Sequence, residues 1–516
     1  MYPTVVSSMQ NAAGEPSMTS ADVTDTVGGQ YDVVVVGAGN AALTAALAAQ
    51  EQGAKTLVLE KAPADERGGN SRFTGGLFRF AYDGIGEVRE LLLDDDTRRV
   101  EVGRYAVEDY LQDLVRITAG RVDPDLAKTL VERSLATMQW MRDLGVKWEF
   151  TSLFGAMKND ITVYAPGAVL QSKGAGVGLV SYLFRAVESR RIPVAYDQEV
   201  VRLAVQDGRV VGVVAREGRR ERTIRARAVV LGSGGFEASA EMRRRHLGAD
   251  WGPVKVRGSR FDTGEGLRAA LEAGAQPYGQ WEGCHATPID ADAPEVGELS
   301  LTDKTNRLSY PFGIMVNTQG RRFTDEGESY ASHTYAKTGR AILAQPAARA
   351  FQVFDQKTIH LLEPRYSTRK PISADSIEEL ATALGIPAEP MDETVRSFNS
   401  ATSARSFDPT TLDGKSTTGI TPPKTNWAVP LDAPPFVAYP VACGITFTYG
   451  GVRIDGEARV LRDGGKPIDG LFASGEITGG FFFDNYPGGA GLMRGAVFGR
   501  LAGTNAAKAA YSARGR

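Results

Sequence analysis

Apolar positions change their period several times along this chain. Tyr31–Gly37 reads YDVVVVG, a continuous β-branched run ending in glycine, the pattern of a strand buried on both faces. Asn40–Gly53 is rich in small residues and predicts a helix, and Lys55–Glu60 (KTLVLE) predicts the next strand. The three elements form one β-α-β unit. Amphipathic spacing predicts helices over Glu108–Gly120, Pro124–Leu144 and Gly178–Ser189. From Ile192 to Val230 short β-type runs recur, predicting a small antiparallel ribbon that returns to a buried strand at Ala228–Leu231. Residues from about 285 to 433 are more mixed and carry 12 of the 25 prolines, as in an inserted second domain. The earlier pattern then returns, with a strand at Gly470–Ser474 (GLFAS), glycine turns and a helix from about Ala490 to Ala510. The expected organisation is a tail at 1–30, a first domain in two parts (31–284 and 434–516), and an inserted domain at 285–433.

Composition narrows the functions on offer. The chain has 516 residues with 59 Lys+Arg against 62 Asp+Glu, a formal net charge of −3. That balance gives no electrostatic reason to expect nucleic acid or an anionic membrane as partner. No apolar run is long enough to span a bilayer. Two distant cysteines, Cys284 and Cys443, exclude a disulfide framework, a cysteine-rich zinc site and an iron–sulfur cluster, and no metal site is expected. The polar stretch Met1–Gln30 has no apolar core of the signal-peptide kind, so a disordered tail and a cytoplasmic location are expected. Glycine is the outlier, at 59 residues, and it clusters.

The first cluster is a dinucleotide fingerprint. Gly37-Ala38-Gly39-Asn40-Ala41-Ala42 is G-x-G-x-x-A, directly after a strand and opening a helix. Gly37 permits the tight turn, Gly39 lets a pyrophosphate approach the backbone, and Ala42 permits close helix–strand packing. The helix N-terminus offers free N–H groups to phosphate. Glu60, with Lys61 after it, ends the second strand 21 residues beyond Gly39, where a carboxylate accepts ribose hydroxyls.

Further clusters separate FAD from NAD. Arg67-Gly68-Gly69-Asn70-Ser71 and Thr74-Gly75-Gly76 follow the second strand, and AVVLGSGG brings Gly234 and Gly235 to the end of another. Thr263-Gly264-Glu265-Gly266 and GLFASGEITGG (Gly470–Gly480) complete a set that resembles the fumarate reductase/succinate dehydrogenase flavoproteins. The resemblance implies an α/β fold, with a Rossmann-type, glutathione-reductase-like FAD-binding domain and an inserted α+β cap. It places Gly475 and Glu476 at the ribityl–phosphate region of FAD. It turns the helix after Gly488-Gly489, with Gly491 and Leu492, towards the anionic edge of the reduced flavin. No second fingerprint for a nicotinamide is present. The first histidine is His246, well past the segment that carries a histidyl flavin link in some relatives, so the FAD is expected to be non-covalent.

Val316–Glu326 (VNTQGRRFTDE) is similar to a cap segment of the same family. Longer stretches, among them RGGNSRFTGGLFRFAYDG, VRGSRFDTGEGLRAA, TYAKTGRAIL and GGFFFDNYPGGAGLMRGAVFGRLAG, resemble FAD-dependent tricarballylate dehydrogenases. The substrate arginines of fumarate reductases do not carry over. The cap proton donor falls on Tyr330, the arginine before the final glycine pair on Tyr486, and one histidine on Thr446, while His285 matches the cap histidine. Tyr330 and Tyr486 instead resemble the two active-site tyrosines of 3-oxosteroid 1-dehydrogenases.

The resemblance implies removal of an α-proton beside a carbonyl or carboxylate, with hydride passing between the β-carbon and flavin. The candidate bases are Tyr330, lowered by a helix dipole or by Arg321 or Arg322, and His333, which titrates near neutrality unaided. Tyr486 and the N–H groups at Gly489–Ala490 would stabilise the enolate. Arg494 either faces a substrate carboxylate or makes an exposed ion pair. The expected partners are a small-molecule substrate and an external electron acceptor: oxygen, a quinone or a redox protein. A steroid-type dehydrogenase on a cyclic ketone, an oxygen-using flavin hydroxylase and an electron-relay subunit stand as alternatives.

Overall fold

The computed structural model describes residues 29–92 and 98–513. The tail expected at 1–30 therefore lies, but for its last two residues, outside the described residues. Strand β1 (Tyr31–Val36) is buried along its whole length, as its β-branched run requires. It is followed by helix α1 (Asn40–Glu51) and strand β2 (Thr56–Leu59), which pairs parallel with β1. On its other side β1 pairs parallel with the last residues of β3 (Arg220–Leu231). The short strand Val194–Ala195 extends the layer beyond β2. The first half of β3 instead pairs antiparallel with Arg209–Glu217, which pairs with Glu199–Gln206. Burial explains the double duty: the first half of β3 is largely exposed or alternates, and the last four residues are continuously buried. The expected ribbon and the expected strand at Ala228–Leu231 are thus joined in one twelve-residue strand. The helix expected over Pro124–Leu144 is two, Pro124–Glu132 and Ser134–Asp143, meeting at Arg133.

A second sheet forms around a long strand. Strand β4 (Cys284–Asp290) is followed by helix α2 (Ala331–Leu343) and strand β5 (Phe436–Thr448). β5 pairs with β4, Arg349–Phe354, Ile372–Ala374 and Lys255–Val256. α2 lies against β4 so closely that a methyl on Gly339 would sit 2.5 Å from the Ala286 carbonyl carbon. Two further helices, Ile377–Leu384 and Ala388–Ala401, close a separate apolar core around Leu380, Met391 and Phe398. The inserted unit was expected over 285–433. The sheet that holds its strands also takes in Lys255–Val256 and runs on to Thr448.

The chain then returns to the first layer. Strand β6 (Pro467–Ala473) pairs parallel with β3, and helix α3 (Ala490–Ser512) packs along α1. Gly495, Gly499 and Gly503 recur every four residues on the α3 face turned to α1. A methyl on Gly503 would lie 2.0 Å from the Ala45 carbonyl oxygen. This backbone contact fixes the start of α3 against the start of α1, where the site lies. No helix among the described residues is long and apolar enough to cross a membrane.

Candidate active site

The site begins where β1 meets α1. Gly37 has φ +96°, and a methyl there would lie 2.5 Å from the Gly232 carbonyl oxygen. Only glycine takes that conformation without strain. Gly39 caps α1 without a side-chain bond, which leaves the helix N-terminus facing a cavity of about 120 Å³. Gly37, Ala41, Glu60, Lys61, Gly69 and Gly234 are in its wall. The Asn40 N–H donates to Ser71 Oγ at 2.9 Å, and its Nδ2 donates to the Leu492 carbonyl at 2.8 Å. Its buried Oδ1 has no partner.

Four acids gather beside this helix end. Glu60, Glu237 and Asp262 are buried and Glu476 is half-buried, and desolvation pushes the carboxyl of each above its ordinary range. Glu237 Oε2 and Asp262 Oδ2 lack hydrogen-bond partners. Such a cluster is costly unless something donates to it. An elongated ligand with phosphates for the helix end and hydroxyl groups for the acids meets that need, which is the chemistry of FAD.

A second cavity, of about 160 Å³, continues the first: Asn40, Ala41, Asn70, Ser71 and Glu476 line both. Thr74, Gly75, Gly475, Gly489, Gly491 and Leu492 join it at the expected flavin end. The other predicted cofactor residues stand behind the wall. A methyl on Gly235 would lie 2.0 Å from Glu476 Oε1, so this glycine makes room for the acid. Ala42 fills the space beside Gly232, Gly68 lies against Val180 and Gly76 against Ser172. Thr263 accepts from Lys61 Nζ at 2.6 Å, Gly264 opens the following helix at φ +86°, and the Gly488 carbonyl accepts from Arg79 Nε at 2.9 Å. Asn70 is fully used: its Oδ1 accepts from Ser259 N–H at 2.7 Å, and its Nδ2 donates to the Thr446 carbonyl at 2.8 Å and to Glu237.

Across this cavity stand Tyr335 from α2, His285 from β4 and Tyr486 from the loop before α3. The Tyr335 hydroxyl donates to the Tyr486 oxygen at 2.6 Å, and Gly489 N–H donates to the same oxygen at 3.2 Å. Burial raises both phenols, Tyr335 well above the usual value. The bonds Tyr486 receives, with the fields of Arg257 and Arg79, work against that rise. His285 sits 4.9 Å from both tyrosine rings and is stacked on Phe447. Desolvation, then Arg257, holds it well below its ordinary value and therefore neutral.

Two expected catalytic residues lie elsewhere. Tyr330 is the residue before α2 and does not line the cavity. Its half-buried ring packs 6.0 Å from Trp427, and burial raises its phenol. Arg321 and Arg322, expected to lower it, are paired with Glu393 and Glu326. His333 is buried beside Asp113 (3.5 Å) and Arg116 (3.4 Å). Desolvation, with the Arg79 field next, drives it down to about 3, where it is a weak base. Helix geometry accounts for the difference: the fifth residue on from Tyr330, not Tyr330 itself, faces the cavity.

Three guanidiniums also reach the cavity: Arg257, Arg365 and Arg494. Arg494 is buried rather than in an exposed ion pair. It packs against the rings of Phe447, Phe481 and Phe482, and desolvation lowers it to about 10. Sequence reasoning missed Tyr335, Arg257 and Arg365. The first two fall inside stretches already noted, TYAKTGRAIL and VRGSRFDTGEGLRAA.

Comparison with known proteins agrees with this geometry. A family profile described as an FAD binding domain matches residues 32–492. The protein named probable fumarate reductase Ifc3 of Shewanella frigidimarina is 30% identical over 92% of this chain and 74% of its own length. The 4-oxocyclohexanecarboxylate 2-dehydrogenase of Sinomonas cyclohexanicum is also 30% identical, over 92% of each chain. Among solved structures, the open conformation of a flavocytochrome c3 fumarate reductase matches with a TM-score of 0.68 and 26% identity, over 99% of this chain and 85% of the other. The chain belongs to the FAD-binding family of the fumarate reductase and succinate dehydrogenase flavoproteins, and is an FAD-dependent oxidoreductase.

Proposed function

We propose that this enzyme forms or reduces a C=C double bond α,β to a carbonyl group, and that Tyr335 and Tyr486 handle the proton. The observation that carries this reading is the 2.6 Å bond between the two hydroxyls in the cavity wall at the flavin end. FAD held along the groove supplies the two-electron acceptor or donor for the hydrogen on the β-carbon. Asn40, Ser71, Glu60 and Glu476 would hold its phosphate and sugar parts.

Tyr486 oxygen already accepts two hydrogen bonds, so its own proton is free for a substrate oxygen in the cavity. In the oxidative direction the α-proton passes to Tyr335, Tyr335 gives its proton to Tyr486, and Tyr486 protonates the carbonyl oxygen; as the β-hydrogen leaves with its electron pair, the oxygen returns that proton through the same two hydroxyls for release to solvent, which restores the carbonyl. Neither phenol has to become a buried anion. That suits two groups whose burial opposes ionisation. The Gly489 N–H keeps Tyr486 in place as charge develops on the substrate oxygen.

The guanidiniums in the wall suit a substrate with an anionic group better than a steroid. They suit a tricarboxylate less well, because Arg365 is already paired with Asp303 and Glu363. Similarity to a 4-oxocyclohexanecarboxylate 2-dehydrogenase supports a small keto acid. Oxygen, a quinone and a redox protein are all compatible electron acceptors. Anaerobic mixing of the FAD-loaded enzyme with 4-oxocyclohexanecarboxylate and other small keto acids tests the reading. It predicts bleaching of the visible band of oxidised flavin; bleaching by a partner protein and by no small molecule would point to electron relay.

A further inference from the structure

Of the three guanidiniums in the cavity wall, two have their charge or their faces occupied. Arg365 lies within 3.1 Å of Asp303 and is also paired with Glu363. Arg494 has three phenylalanine rings within 5.7 Å, its Nη1 donates to the Thr478 carbonyl, and its Nε is sealed from solvent. Its strongest charged neighbour is Glu476.

Arg257 differs. It is 8% exposed, and no carboxylate among the described residues lies within ion-pair distance. Its Nε donates to Thr446 Oγ1 at 3.1 Å and its Nη1 to the Phe73 carbonyl at 2.8 Å. Two neutral acceptors thus hold the fork, and Nη2 has no hydrogen-bond partner among the described residues. The other titratable groups in the same wall are Tyr335, Tyr486 and His285, all neutral, the paired Arg365, Arg494, and Glu476. A buried guanidinium that is oriented but unpaired carries a desolvation cost that a bound anion offsets.

We infer that Arg257 is the residue that receives a carboxylate of the substrate, so the enzyme selects small carbonyl compounds that bear a carboxylate. This rests on the tyrosine reading for the chemistry and adds the anionic end. Because β4 and β5 carry His285 and Thr446, the carboxylate would sit on the side of the cavity formed by the second sheet, with the reacting carbonyl towards Tyr486.

The test is a binding titration of the FAD-loaded enzyme, followed by the shift of the flavin visible spectrum. The probes are cyclohexanecarboxylate and its methyl ester, neither of which can ionise at a ketone. Wild type is expected to bind the acid at least about thirty-fold more tightly than the ester. Arg257→Met should remove most of that preference and leave ester binding unchanged, and Arg257→Lys should keep part of it. Equal binding of acid and ester by wild type would overturn the inference without any variant. So would an Arg257→Met enzyme that binds the acid within threefold of wild type. The two readings fail separately. Acid preference without bleaching by any keto acid counts against the tyrosine chemistry; bleaching by neutral ketones and keto acids alike counts against Arg257.

Discussion

Tyr335 and Tyr486 are 151 positions apart in the chain, yet their hydroxyls meet at 2.6 Å. One rides on α2, packed against the second sheet, the other on the loop that opens α3 in the first layer. The contact therefore depends on how the two layers meet. Asn70, which bonds the backbone at Ser259 and Thr446, is one of the ties between them.

Replacing Asn70 with alanine strands the Ser259 N–H and the Thr446 carbonyl in buried surroundings. Each unsatisfied group costs about 1–3 kcal/mol, so a loss of about 2–6 kcal/mol is expected. Urea unfolding of wild type and variant measures it. A loss below about 1 kcal/mol would mean that the interface is held elsewhere.

The Gly37→Ala substitution should empty the cofactor groove. The methyl would meet the Gly232 carbonyl oxygen at 2.5 Å, in a backbone conformation that itself costs alanine about 1–2 kcal/mol. The ratio of flavin absorbance to protein in the purified variant is expected to fall well below that of wild type. Gly84→Ala is the control, because a methyl there meets nothing within 4 Å.

His333 gives the protein an acid weakness of predictable sign. The unfolded chain binds a proton there as pH falls below about 6.5, whereas the folded chain does so only near 3. Acid therefore favours unfolding across that window, by up to about 1.4 kcal/mol per pH unit from this group. Asp113 beside it is held below its ordinary 3.8, so its own stabilising effect is lost only at lower pH. His333→Asn should flatten the fall in thermal stability between about pH 6.5 and 4. His285 acts in the same direction, so part of the slope should remain. An unchanged slope would show that His333 is not buried as a neutral group.

Local features carried the legible part of this fold. A buried run, a small-residue helix and a glycine turn sit next to one another in sequence, so β1, α1, β2 and the cofactor groove could be placed without tertiary information. The second sheet could not, because β5 pairs with strands from Lys255 to Ala374 that local spacing cannot join. β3 was read as two elements because half of it alternates and half is continuously apolar. At the cavity, counting from a motif reached Tyr330, one residue before α2, whereas the direction of the helix selects Tyr335. Arg257 was invisible for a related reason. Its value lies in what does not contact it, and no spacing rule reports that.

The central claim concerns which tyrosines carry the proton, and single-turnover reduction of the bound flavin under anaerobic conditions tests it most directly. With a keto acid that bleaches wild type, Tyr335→Phe and Tyr486→Phe should each slow bleaching about 10²–10⁴-fold while retaining the oxidised flavin spectrum. Tyr330→Phe should stay within a few-fold of wild type. Near-normal bleaching in Tyr335→Phe, with the large loss in Tyr330→Phe, would contradict the account.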